Sequence, residues 1–153
     1  MRGKSEVAKR SGVGPQARVL VVDDREGTAR ALKRILQKEG YEVLTAFDGE
    51  TGLKRACEEI PDLIILDIMM PGMDGYEVCR RLHSCADTAR IPVLVLTGRG
   101  RIDSPHIRGQ LLQTRVRERE KAFAAGATEF LSKPVRARDL LERVKALLWL
   151  GDI

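Results

Sequence analysis

The sequence predicts an α/β protein, a doubly wound five-stranded parallel sheet in the order 2-1-3-4-5 flanked by five helices, and three observations carry that expectation. The runs Val19-Leu20-Val21-Val22, Leu63-Ile64-Ile65-Leu66 and Val93-Leu94-Val95-Leu96 lack polar alternation, the pattern of strands covered on both faces. Stretches with helical spacing of apolar residues lie between them, so strand and helix alternate along the chain. The connections are short, which favours right-handed crossovers between parallel neighbours. With 153 residues, 43% of them hydrophobic and 32% charged, the chain has enough core for one domain and not for two.

Residues 1–16 are rich in Gly, Ser, Lys and Arg without periodicity and are expected to form a flexible basic tail, with the folded domain spanning 17–150. Ala17 to Val22 is the first strand and runs into Asp23-Asp24. Ala29, Leu32, Ile35 and Leu36 then mark one side of a helix stopping at Gly40. Tyr41 to Ala46 alternates more, as an edge strand does. Asp48-Gly49-Glu50 opens a second helix with Leu53, Ala56, Cys57 and Ile60 on its inner face, closed by Pro61. Leu63 to Leu66 is the central strand, followed by a turn rich in Pro and Gly and a helix from about Asp74 to His83. Ile91 to Leu96 is the fourth strand and delivers Thr97-Gly98. Another helix runs to Ala125 and Gly126, Ala127 to Ser132 is the fifth strand, and Ala137 to Leu150 is the last helix, with Leu140, Leu141, Val144, Leu147 and Leu148 inward.

In such a sheet the carboxyl ends of the strands share one edge, and ligands bind there, beside the strand where the winding reverses. Four strand ends bring Asp23-Asp24, Asp67, Thr97 and Lys133 to that edge. Three crowded carboxylates ask for a hard divalent cation, and oxygen-only donors point to Mg²⁺. A lysine and a hydroxyl facing them suit a metal-bound phosphoryl group, and a carboxylate is a competent nucleophile for an aspartyl phosphate. Taken singly, each residue has a plainer reading: Asp23 and Asp67 as caps or turn formers, Thr97 as a strand former, Lys133 as a solvated charge, Phe130 as core.

Taken jointly, Val21-Val22-Asp23-Asp24, Leu66-Asp67-Ile68-Met69-Met70-Pro71-Gly72-Met73-Asp74-Gly75, Leu96-Thr97-Gly98 and Ser132-Lys133-Pro134 resemble the receiver (REC) domain of bacterial two-component response regulators, over about Arg18 to Leu148. The resemblance implies a flavodoxin-like fold and a phosphorylation-dependent switch rather than an enzyme acting on external substrates. It implies that Asp67 is the phosphoacceptor, served by a histidine kinase or a phosphotransfer protein. Asp24, Asp67 and the main-chain carbonyl of Met69 would ligate Mg²⁺, with Asp23 acting through water. Lys133 and Thr97 would bind the phosphoryl oxygens, Thr97 and Phe130 would form the switch, and the Lys133–Pro134 peptide would be cis. Met69 and Arg99 occupy the positions that tune phosphoryl lifetime, and a bulky Met69 implies slow self-dephosphorylation. The output surface would be the fourth helix, fifth strand and fifth helix, open to a partner or a homodimer.

One stretch departs from that pattern. About 35 residues separate Thr97 from Lys133, where roughly 20 to 25 would serve. The surplus is expected as an insertion at about 98–112 between the fourth strand and fourth helix. Arg99, Arg101, Arg108, Arg115, Arg117, Arg119 and Lys121 make the stretch 98–121 basic, and it reads either as a mobile loop feeding a solvated helix or as an extended fourth helix that binds an acidic partner or a second copy of the chain, its exposure set by phosphorylation. His106 reads as a loop histidine.

Other classes fit less well. A net charge of +5 permits a polyanionic partner, yet the arginines carry no recognition motif and aromatic residues make up only 4%, so direct nucleic acid binding is not expected. Cys57, Cys79 and Cys85 lack metal-ligand spacing and read as reduced thiols. No apolar run suits a membrane span or a signal peptide, so no membrane role and a cytoplasmic location are expected. A phosphohydrolase with an aspartyl nucleophile of the haloacid dehalogenase type needs a second Asp where Met69 stands. An interaction module of the same fold that works without phosphorylation remains the other alternative.

Overall fold

A computed structural model describes residues 17–70, 72–97, 117 and 119–151, apart from the side chains of 150 and 151. The elements in chain order are β1 (Arg18–Val22), α1 (Glu26–Lys38), β2 (Glu42–Ala46), α2 (Gly49–Glu59), β3 (Leu63–Asp67), α3 (Gly75–Ser84), β4 (Val93–Thr97), a helical stretch over residues 119–124 taken as α4, β5 (Glu129–Ser132) and α5 (Ala137–Gly151). All strand pairs are parallel and the sheet order is β2-β1-β3-β4-β5. The doubly wound expectation therefore holds, with β1 and β3 flanking the reversal of winding.

Alternate residues of the buried strands feed two separate apolar layers. Leu20, Val22, Ile64, Leu66, Val93 and Val95 meet Ala56 of α2, Val78 and Leu82 of α3, and Ala122 of α4. Val19, Val21, Leu63, Ile65, Leu94 and Leu96 meet Leu32 and Leu36 of α1 and Leu140, Val144 and Leu147 of α5. Each fully buried aliphatic side chain contributes about 1.5–3 kcal/mol, so the three central strands anchor the sheet from both sides.

Local chemistry sets the helix ends. Asp48 caps α2 by accepting from the Thr51 N–H at 2.7 Å, and Asp74 caps α3 by accepting from the Glu77 N–H at 2.9 Å. Such caps contribute about 1 kcal/mol each. The end of α2 differs from expectation: Ile60 takes a left-handed φ of 44° before Pro61, because the ring of a following proline disfavours continued helix.

Cys57 also departs from its expected place, since it is exposed whereas Ala56 is buried. Two helical neighbours sit about 100° apart, and sequence spacing alone does not say which flank turns to the sheet. The tail 1–16 and the insertion 98–112, with Arg99 and His106, lie outside the described residues.

Candidate functional site

The site grows from the carboxyl ends of four strands. β1 delivers Asp23, only 1% exposed, whose Oδ1 accepts from the Arg25 N–H at 2.9 Å. β3 ends at Asp67, 3% exposed, whose Oδ1 accepts from the Met69 N–H at 3.0 Å. β4 ends at Thr97, fully buried and paired in register with Ser132 of β5. Just beyond that pair, the Lys133 N–H donates to the Thr97 carbonyl at 2.6 Å, and the Lys133–Pro134 peptide is cis.

These connections bring together groups up to 110 positions apart. The Lys133 ammonium lies 3.2 Å from Asp23 Oδ2 and 3.7 Å from Asp67 Oδ2. Carboxylate oxygens of Asp23, Asp24 and Asp67 all fall within 4.8 Å of one another. Among the described residues Lys133 is the one cation paired with Asp23 and Asp67, and with Asp24 beside them a surplus of about two negative charges remains in a largely buried pocket. Asp67 responds in its acidity: burial, foremost, with Asp23 and Asp24 adding, holds its carboxyl above the usual range, against the opposing pull of the Met69 N–H and Lys133. Asp24 Oδ1 is shielded from solvent and has no hydrogen-bond partner among the described residues. A buried oxygen left unpaired is costly, and a hard cation is the partner that an all-oxygen donor set suits. The residues present thus fit a divalent ion.

Phe130 pairs in register with Val95, two residues before Thr97, so Thr97 and Phe130 occupy the same face of the sheet. Its ring is half-buried against the layer containing Val78 and Leu82. The Met69 side chain is 39% exposed beside the acid cluster.

Sequence reasoning missed three features here. Lys133 lies closer to Asp23 than to Asp67, and no pattern of residue types announces that. The N–H groups of Arg25 and Met69 orient the acids, a role any residue but proline fills. Gly75, the first residue of α3, is the third: a Cβ there would stand 2.3 Å from Ile68 Cα and 2.8 Å from the Asp67 carbonyl oxygen. The Gly75 N–H also donates to the Ile68 carbonyl at 3.2 Å, closing the turn that carries Asp67 and Met69. The Asp-Gly pair after Pro71 and Gly72 held that signal, though it reads equally as an ordinary turn.

The family model described as the response regulator receiver domain matches residues 19–145. Response regulator PleD of Caulobacter vibrioides is 42% identical over 134 residues, covering 86% of this chain and 26% of that protein. The phosphate regulon transcriptional regulatory protein PhoB of Rhizobium meliloti is 38% identical over 131 residues, covering 86% of this chain and 52% of that protein. The chain therefore spans between about a quarter and about half of these curated relatives. Among solved structures, a putative response regulator from Chloroflexus aurantiacus superposes with a TM-score of 0.74 at 34% identity, covering 88% of this chain and 98% of that one.

Proposed function

The chain belongs to the response regulator receiver family of two-component signalling, and from that premise we propose that Asp67 accepts a phosphoryl group from a histidine kinase or a phosphotransfer protein. The observation that carries this reading is the pairing of a buried carboxylate cluster with the Lys133 ammonium, 3.2 Å from Asp23 and 3.7 Å from Asp67. Asp67 Oδ1 is engaged by the Met69 N–H, which leaves Oδ2, on the Lys133 side, as the attacking oxygen. Attack at phosphorus breaks the bond to the donor imidazole, whose nitrogen then takes up a proton. Lys133 neutralises the phosphoryl oxygens and the Thr97 hydroxyl donates to one of them.

Asp24, Asp67 and the Met69 carbonyl would hold Mg²⁺ directly and Asp23 through water. Bound there, the ion supplies the positive charge that the surplus acids and the incoming anion require. Drawing Thr97 toward the phosphoryl group frees space along its sheet face, into which Phe130 turns, and the surface of α4, β5 and α5 changes. That surface serves a partner or a second copy of the chain, and the basic stretch 98–121 serves an acidic partner. Arg119 and Lys121 on α4, each stacked over an aromatic ring, belong to it.

Labelling with acetyl phosphate, with and without Mg²⁺, tests the reading. Intact mass is expected to show one phosphoryl group, absent in Asp67→Ala and without the metal, and its decay to quicken in Met69→Asn. An unlabelled wild-type protein would reduce the domain to an interaction module that works without phosphorylation. Steady turnover of a phosphoester would make it a phosphohydrolase.

A further inference from the structure

Two neighbouring helices, α2 returning from β2 and α3 returning from the Asp67 turn, also bring two thiols to their far ends. α2 and α3 pack side by side on the same apolar layer, both running from the carboxyl to the amino edge. Near their starts the Gly49 Cβ position lies 2.9 Å from the Val78 side chain, which fixes their relative height. Cys57 is about eight residues beyond Gly49 and Cys85 about seven beyond Val78, so at about 1.5 Å per residue both thiols lie about 10–12 Å further along. Cys57 is exposed, and Cys85 is half-buried in the extended residue that ends α3.

We propose that Cys57 and Cys85 form a reversible oxidation site, in which a hydroperoxide converts the two thiols to an intramolecular disulfide joining the ends of α2 and α3. The exposed Cys57, as thiolate, attacks the peroxide oxygen, giving a sulfenic acid and an alcohol or, from hydrogen peroxide, water. The Cys85 sulfur then displaces the sulfenic oxygen, which leaves as water with the thiol proton. Two electrons pass from the two sulfurs to the peroxide, and a dithiol reductant reverses the change.

The acid–base setting agrees with the alignment. The Cys57 thiol is pushed up by burial first and next by Cys85, acting both as a neighbouring charge and as a side-chain hydrogen-bonding partner, with Asp87 and Glu58 adding. A Cys57 thiol that holds its proton more tightly reacts slowly, as suits a site that responds to sustained oxidant. Cys79, 1% exposed and pushed to about 11, is the inert third thiol and provides an internal control.

The test is peptide mapping without reductant after hydrogen peroxide treatment and alkylation of the remaining thiols. A Cys57–Cys85 linked peptide lighter by two hydrogens is expected, present in Cys79→Ser, absent in Cys57→Ser and Cys85→Ser, and lost on adding dithiothreitol. Cys57 driven to sulfinic or sulfonic acid with Cys85 still alkylated would overturn the proposal. So would cross-links only between chains, or three thiols that all remain alkylated. None of these readouts depends on Asp67 being labelled, so the signalling reading and this one fail separately.

Discussion

At the amino edge of the sheet Arg18 meets Glu42 and Glu59, each at 3.3 Å, and its N–H donates to Asp62 at 2.8 Å, whereas at the carboxyl edge Asp23 and Asp67 share Lys133, with Asp24 within 4.8 Å of both acids. The Arg18 side chain is 14% exposed and its two glutamates 58% and 39%, so solvent helps to balance that cluster. Asp23 and Asp67 have side chains only 1% and 3% exposed, and burial removes that relief. The same kinds of group thus stabilise one edge and load the other with charge that a cation or phosphoryl group can engage.

The sharpest way to break this contrast is to remove the Lys133 ammonium. Lys133→Ala is expected to lower the rate of acetyl phosphate labelling by about 10²-fold, the usual scale for losing a single charge stabiliser. A rate within about threefold of wild type would show that the acids manage without it. Gly75→Ala comes next. A methyl group driven into the Ile68 backbone is expected to cost about 1–3 kcal/mol in urea unfolding and to weaken Mg²⁺ binding, because the same turn carries Asp67 and Met69. Unchanged stability would mean that the turn yields.

Asp67→Asn addresses the surplus charge itself. A carboxyl held above its ordinary range keeps its proton more tightly in the folded state, so folding is favoured below that range and penalised as pH rises and the group ionises. The amide removes the penalty. In chelator, its melting temperature is expected to exceed that of wild type by about 2–4 °C at pH 7 if relief amounts to about 1 kcal/mol, with the gap closing toward pH 4. A gap that widened on acidification would reverse the sign assigned to Asp67. Arg18→Ala probes the opposite edge and carries the smallest expected effect, a loss of about 1 kcal/mol with labelling unchanged. Slower labelling would show that the two edges are not independent.

Much of this arrangement was legible in the residues because its signals are local. An unbroken apolar run needs cover on both faces, apolar residues three and four apart need a helix, and Asp48 and Asp74 satisfy the N–H groups just after them. The sequence therefore determined the α/β alternation, the strand order through its short connections, and the appearance of Asp23, Asp24, Asp67, Thr97 and Lys133 at strand ends.

Only the tertiary structure decided that Lys133 sits closer to Asp23 than to Asp67, that Asp24 Oδ1 is buried without a hydrogen-bond partner among the described residues, and that Cys57 is exposed. It alone showed that Gly75 must lack a side chain because α3 begins against the Asp67–Ile68 backbone. Residue type and spacing fix what a segment prefers within a few turns of itself, whereas distances between groups such as Asp23 and Lys133 are set by how whole strands and helices pack.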